Sequence, residues 1–139
     1  MPDKPSFTAA PPDDALFFAI ADAAIAAMPA PLRPFVDGLA IVVEDVADAE
    51  TLAEMSIEHP YDLTGLYQGR PIGDGAAGDA ADTLPNIVTL YRLPILVEWI
   101  ETGERLDHLI RHVVIHEIGH HFGFSDADMH AIEAMADAG

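Results

Sequence analysis

Residues His116-Glu117-Ile118-Gly119-His120 place two histidines four positions apart at the end of a long apolar stretch. On an α-helix, positions four apart differ by ~40° around the axis and by about one turn, so both imidazole rings reach one point. Neutral imidazole nitrogens are preferred ligands of zinc, at ~2.0–2.1 Å. Glu117 lies ~60° around the helix from His120, outside the same chelate but close enough to contact a metal-bound water. The segment therefore predicts a helix that holds zinc.

The residues after the second histidine extend the pattern to HExxHxxGxxD. Gly123 can adopt a positive φ, which ends the helix and turns the chain back, so Asp126 is a candidate third ligand beside His116 and His120. Two further residues of the following segment, His130 and Glu133, are rival ligands. Asp126 also has a simpler interpretation, as an acidic residue that stabilises a helix N-terminus by ~0.3–1 kcal/mol.

Length and charge restrict the class of protein. A chain of 139 residues has the length of one domain, and we expect a flexible N-terminal tail at 1–12 followed by a single domain at 13–139. The formal charge of −18, from 24 acidic and 6 basic residues, argues against nucleic acid as a partner. The absence of cysteine excludes a thiolate metal site and a cysteine nucleophile.

An apolar run at 16–30 resembles the core of a signal peptide. Asp13 and Asp14 stand where a positively charged region belongs, and Asp22 interrupts the run. No stretch reaches the length needed to cross a membrane. We therefore interpret the run as an amphipathic helix and expect a cytoplasmic protein without a membrane partner.

The pattern of apolar residues, caps and breakers predicts a small α+β domain, in which a short sheet packs against the helix that carries the motif. That helix, capped by Thr102, is expected to be the central core helix. The expected elements are a helix from 13 or 14 to 28, a strand within 35–46, a short helix at 48–55, a strand at 63–68, a loop at 69–82, a strand at 86–92, a helix from 94 to 100, the motif helix at 104–122, and a last helix that Ser125 and Asp128 cap and that ends near 137.

Three segments together resemble the small bacterial family of minimal zincin-like metallopeptidases, a metzincin-type variant in which aspartate replaces the third histidine. The segments are LTGLYQG at 63–69, NIVTLYRLPI at 86–95, and the motif region at 112–130, and the resemblance covers about 35–139. It implies a compact zincin fold, with His116, His120 and Asp126 as zinc ligands and Glu117 as the catalytic acid–base residue.

The expected function is a zinc-dependent metallopeptidase that cleaves peptides or proteins. A zinc-activated water attacks the peptide bond, and Glu117 is its general base. The strand at 86–92 is the candidate for aligning an extended substrate by edge pairing, and the candidate oxyanion stabilisers are Tyr67, Tyr91 and Arg92.

Two other classes stay open. One is a non-catalytic zinc-binding adaptor or regulatory module. The other is a metal-dependent ribonuclease, because positions 116, 120 and 126 match the HxxxHxxxxxH spacing of metalloproteins of ribosomal RNA maturation. The sequence does not determine the substrate or the oligomeric state.

Overall fold

Three short strands and five α-helices form the part of the chain that the computed structural model describes, residues 12–69 and 86–138. The predicted loop and N-terminal tail lie almost wholly outside these ranges. The elements are α1 (Asp14–Ala26), β1 (Leu39–Glu44), α2 (Ala49–Glu54), β2 (Gly65–Gln68), β3 (Asn86–Tyr91), α3 (Arg92–Thr102), α4 (Leu106–His121) and α5 (Asp126–Ala138), with short 3-10 turns at Arg33–Phe35 and Pro60–Asp62. The predicted α+β class is confirmed.

The strands form one sheet in the order β1-β3-β2. β1 runs parallel to β3, with Leu39 opposite Asn86, and β2 runs antiparallel to β3, with Gly65 opposite Leu90. Because β3 pairs on both sides, its backbone offers no free edge. The prediction that the strand at 86–92 aligns a substrate by edge pairing is therefore wrong. The edge beside the motif helix belongs to β2.

α4 is the central core helix, as its apolar sequence predicts. It packs against α1 on one side and against β2 and β3 on another. Burying apolar side chains over most of its circumference holds the motif rigidly, because each one stabilises the fold by about 1.5–3 kcal/mol. The buried residues of α4 are Leu109, Ile110, Val113, Val114, Ile115, Ile118 and Gly119.

The helix boundaries follow from local capping. Asp13 accepts a hydrogen bond from the Leu16 N–H and begins α1. Ser125 and Asp128 exchange hydrogen bonds at the start of α5, at 3.0 and 3.3 Å, as the capping-box pattern predicts. The predicted capping of the motif helix by Thr102 is wrong, because Thr102 is the last residue of α3 and Arg105 precedes α4. In the described ranges, no helix is long and apolar enough to cross a membrane.

Candidate metal centre

His116 and His120 lie on consecutive turns of α4. Their ring centroids are 5.7 Å apart and the rings meet at 65°. Two imidazoles that bind one zinc through nitrogens at ~2.0–2.1 Å place their ring centroids about 5 Å apart, so this pair is close to the spacing that a shared ion needs. His120 is exposed and His116 is 27% exposed, which leaves both rings accessible from solvent.

Glu117 is directed away from solvent, towards β2. Its carboxylate lies close to the backbone N–H of Tyr67, which favours the charged form. Burial raises the pKa of Glu117 above its ordinary value of 4.5, and the Tyr67 N–H and the nearby His120 only partly oppose this. A partly buried carboxylate with a raised pKa, on the same helix as His116 and His120, has the properties of a general base.

The close approach of α4 to β2 depends on Gly65. A Cβ atom at this position would lie 2.6 Å from Val113 Cγ1 and 3.4 Å from Glu117 Cγ, so any larger residue separates the strand from the helix. The missing side chain therefore lets the helix bring Glu117 to the strand.

The outer edge of β2 carries backbone groups that do not pair with β3. The Tyr91 N–H donates to the Thr64 carbonyl, and hydrogen-bonded pairs alternate along an antiparallel ladder. Leu66 therefore also pairs inward with β3, whereas the backbone groups of Gly65 and Tyr67 point outward. In the described ranges no strand pairs with this edge. The Glu117 carboxylate lies close to the outward N–H of Tyr67, and its Cγ is near Gly65, so the side chain is beside this edge.

The chain reverses directly after α4. Gly123 has a φ of +83°, as predicted for the residue that ends the motif helix, and the Phe124 N–H donates to the Gly119 carbonyl at 2.8 Å. Met129 of α5 then packs on α4. A Cβ at Gly119 would lie 2.4 Å from the Met129 Sδ, so the glycine inside the motif makes room for this fully buried methionine.

Glu133 of α5 lies between two histidines of α4. Its Oε2 is 2.8 Å from His116 Nε2, and its Oε1 is 2.7 Å from His112 Nδ1. Among the described residues, these three form the one group of at least three possible ligands whose donor atoms all lie within 4.8 Å of one another. Burial lowers the pKa of His116, as does the neighbouring His112, while Glu133 acts in the opposite direction.

The structure does not bring Asp126 into that group. Asp126 is the first residue of α5 and its side chain is exposed. The capping of α5 is done by Ser125 and Asp128, so Asp126 is not needed for it. His130, the other rival ligand, is also exposed. The assignment of the third ligand to Asp126 stays a prediction.

The three candidate oxyanion stabilisers make different contacts in the structure. Arg92 binds Asp14, Asp45 and the Pro12 carbonyl, which ties α1 to the sheet. The Tyr67 ring stacks on His121 with centroids 4.1 Å apart, and its buried hydroxyl has no hydrogen-bond partner among the described residues. Tyr91 is buried as well, and burial chiefly raises its pKa, with smaller contributions from Glu44, Asp48 and Glu117. Of these residues, Tyr91 is the one whose pKa is influenced by the Glu117 charge.

An apolar groove of about 370 Å³ lies elsewhere on the molecule, between α1, α4 and α5. Ile20 and Ile115 contribute to its lining, which contains none of the motif histidines and not Glu117. The groove is therefore not part of the candidate metal centre.

Comparison with protein families agrees with this arrangement. The profile of the zincin-like metallopeptidase family matches residues 36–136, which is most of the chain. The chain belongs to this family. A comparison with curated proteins gave no match. The family assignment agrees with the α+β fold, and a zinc-type metal fits the zincin-like chain because its donors are imidazoles and carboxylates on two packed helices.

Two features of the site were not anticipated from the sequence. The first is the contact of Glu133 with His112, since the sequence offered Glu133 only as a rival ligand for the motif histidines, and the four-residue spacing from His116 was the signal for His112. The second is the outer edge of β2, with which no described strand pairs. The presence of a glycine at the start of the predicted strand at 63–68 was the available signal, because glycine in a strand often marks a close approach of another element.

Proposed function

We propose that this protein is a zinc-dependent metallopeptidase that cleaves peptide bonds of an extended substrate. The observation that carries the proposal is the position of Glu117, which follows His116 on α4 and lies close to the outer edge of β2, with which no described strand pairs. A general base, a pair of zinc ligands and a backbone edge that can align a peptide thus lie together.

His116 and His120 are the proposed imidazole ligands of zinc, and Asp126 is the proposed third ligand from the family motif. Zinc supplies a Lewis acid that polarises a carbonyl group and makes water a nucleophile near neutral pH. The carboxylate of Glu117 accepts the proton of the attacking water and donates it to the leaving amine. Its raised pKa favours this exchange, because a base works best when its pKa is near the pH of the reaction.

The outward N–H and carbonyl of Gly65 and the outward carbonyl of Tyr67 are the proposed alignment site for the substrate. An extended peptide that pairs with this edge adds a strand to the sheet and places its backbone beside Glu117. Pairing through the backbone requires no particular side chain, so we expect selectivity to come from charge. The formal charge of −18 favours neutral or basic peptides over acidic ones.

A cleavage assay with a matched pair of variants tests catalysis. The zinc-loaded protein is incubated with a peptide library, and the products are identified by mass spectrometry. Glu117→Gln should keep zinc and reduce turnover by about 10²–10⁴-fold, because the amide cannot accept the proton. Glu101→Gln, which makes the same change on an exposed face of α3, should keep full turnover. Equal turnover in Glu117→Gln and the parent contradicts the mechanism.

The third ligand is tested by two neighbouring aspartates in the first turn of α5. Asp126→Asn should weaken zinc affinity by at least about 10-fold in a competitive-chelator titration. Removing a group that only hydrogen-bonds a metal ligand already weakens metal affinity by ~10–100-fold. Asp128→Asn removes the same charge from the same turn and disturbs only the cap. If both variants bind zinc as the parent does, Asp126 is not a ligand.

The alternative classes have less support. A structural zinc module needs four protein ligands and no base, whereas Glu117, a partly buried carboxylate with a raised pKa, lies on the same helix as the histidine pair. A ribonuclease must attract phosphates, which a formal charge of −18 opposes.

A further inference from the structure

A second set of metal-binding side chains adjoins the motif histidines and shares one of them. His112, His116 and Glu133 form it, with Glu133 Oε1 2.7 Å from His112 Nδ1 and Oε2 2.8 Å from His116 Nε2. We propose that these three residues form a second binding position for a zinc-type divalent cation, one helical turn from the His116–His120 position and in competition with it.

The donor chemistry of the set suits zinc and related ions. Two imidazoles and one carboxylate are ligands that zinc takes in proteins at ~2.0–2.2 Å, with water as a fourth ligand. Each carboxylate oxygen of Glu133 already contacts one of the two rings, so a cation that binds there requires little side-chain rearrangement. The side chains of His112, His116 and Glu133 are 46%, 27% and 22% exposed, which gives an ion access from solvent.

His112 and His120 cannot serve the same ion. They lie eight residues apart on α4, which separates them by about 12 Å along the helix axis. His116 stands between them, with its ring centroid 4.0 Å from that of His112 and 5.7 Å from that of His120. Among the described residues, the group of close ligand atoms includes His112 and leaves out His120.

The two positions therefore differ in what surrounds the cation. At the His116–His120 position the cation is next to Glu117, whereas the second position has Glu133 and His112 as its partners. Because a cation in either position uses His116, each chain holds one ion there at a time. The second position retains the metal without the general base, so we infer that it is catalytically silent.

Removing His120 isolates the second position. In His120→Ala the motif pair is lost but His112, His116 and Glu133 are intact. We expect this variant to bind one Co²⁺ per chain, detected by its visible absorption, and to bind Zn²⁺ measurably in a competitive-chelator titration. Adding His112→Ala or Glu133→Gln to His120→Ala should weaken the remaining affinity by at least about 10-fold.

Two further variants serve as controls in the same background. His59→Ala removes a histidine that caps a 3-10 turn and contacts the Tyr61 ring, and Asp126→Asn removes the ligand expected for the other position. Neither should change the affinity of His120→Ala. Circular dichroism spectra should show that each variant keeps its helices.

Three results overturn the second position. His120→Ala could bind Co²⁺ no better than the triple variant without His112, His116 and His120. Alternatively, Glu133→Gln and His112→Ala could have no effect in that background, or Asp126→Asn could abolish its binding. All three are measured as cation affinity, without a substrate. A negative result here leaves the peptidase proposal intact, and an inactive protein that passes these tests still has the second position.

Discussion

Replacing Gly65 by alanine tests the contact that brings Glu117 to the edge of β2. The new Cβ would lie 2.6 Å from Val113 Cγ1 and 3.3 Å from the Thr89 carbonyl oxygen. Val113 is buried, and a β-branched side chain on a helix has one strongly preferred rotamer, so it cannot turn away. The alanine must therefore push β2 and α4 apart.

Two opposing effects set the size of the change. Inserting a methyl group into a packed core destabilises the fold by about 1–3 kcal/mol. Replacing glycine by alanine restricts the unfolded chain, which stabilises the fold by about 0.4–1 kcal/mol. We expect Gly65→Ala to lower the free energy of unfolding by about 1–2 kcal/mol. Peptidase activity at saturating zinc should fall by about 10-fold or more, since Glu117 moves with the helix and small displacements of catalytic groups reduce rates strongly.

A double-mutant cycle with Val113→Ala isolates the contact. Val113→Ala alone should cost about 2 kcal/mol, from ~0.8 kcal/mol for each of two methyl groups plus a cavity term. The pair should be less destabilised than the sum of the single variants by about 1 kcal/mol or more, because the new methyl occupies the vacated space. Unfolding is measured in denaturant with a chelator present, so that bound zinc does not add to stability. Strictly additive losses refute the proposed contact.

Two other residues give predictions that the same unfolding assay checks. Gly119→Ala improves helix propensity by ~1 kcal/mol, but its Cβ would clash with the Met129 Sδ. We therefore expect the free energy of unfolding to fall by about 1 kcal/mol in the parent and to rise in the Met129→Ala background. A rise in both backgrounds contradicts the contact. Tyr67→Phe removes a buried hydroxyl without a partner among the described residues, so at pH 7 the free energy of unfolding should be unchanged or about 1 kcal/mol higher. Burial raises the pKa of Tyr67 above 10.0, so the stability that comes from this pKa shift is complete below pH 10 and is lost as the pH rises through the folded-state pKa. Tyr67→Phe should therefore lose less stability above pH 10 than the parent. An equal loss in both proteins argues against this burial.

Local chemistry explains which parts of the fold were predictable. The caps of α1 and α5 involve residues at most three positions apart, and the core face of α4 follows from its own apolar pattern. The predicted elements were therefore close to those in the structure. The order of the strands depends on contacts between distant segments, and no local pattern showed that β1 lies parallel to β3. Consequently the substrate-pairing edge was assigned to the strand at 86–92, which is the central strand β3, and not to the outer strand β2.

The same distinction applies to the candidate metal centre. His116, Glu117 and His120 lie within five consecutive residues, so helix geometry alone relates them. The candidates for a third ligand lie on another helix, and which of them approaches the histidines depends on how α5 packs against α4. Sequence spacing left Asp126, His130 and Glu133 open, and only the packing showed that Glu133 contacts His116.

The packing of α5 on α4 also relates the two candidate ligands Asp126 and Glu133 to the proposed His116–His120 position. Met129 lies on Gly119, and Glu133, four residues further along α5, lies on His116, three residues earlier on α4. The two helices therefore run antiparallel at this contact. Continuing the same register in the other direction brings Asp126 towards the end of α4 that carries His120. Asp126 and Glu133 are about 10 Å apart along α5, and the His116–His120 position lies between their levels. A shift of α5 along α4 thus brings one carboxylate nearer to the His116–His120 position as it moves the other away. Met129 is fully buried against Gly119 and opposes such a shift, so this contact bears on whether Asp126 or Glu133 is the third ligand of the proposed site.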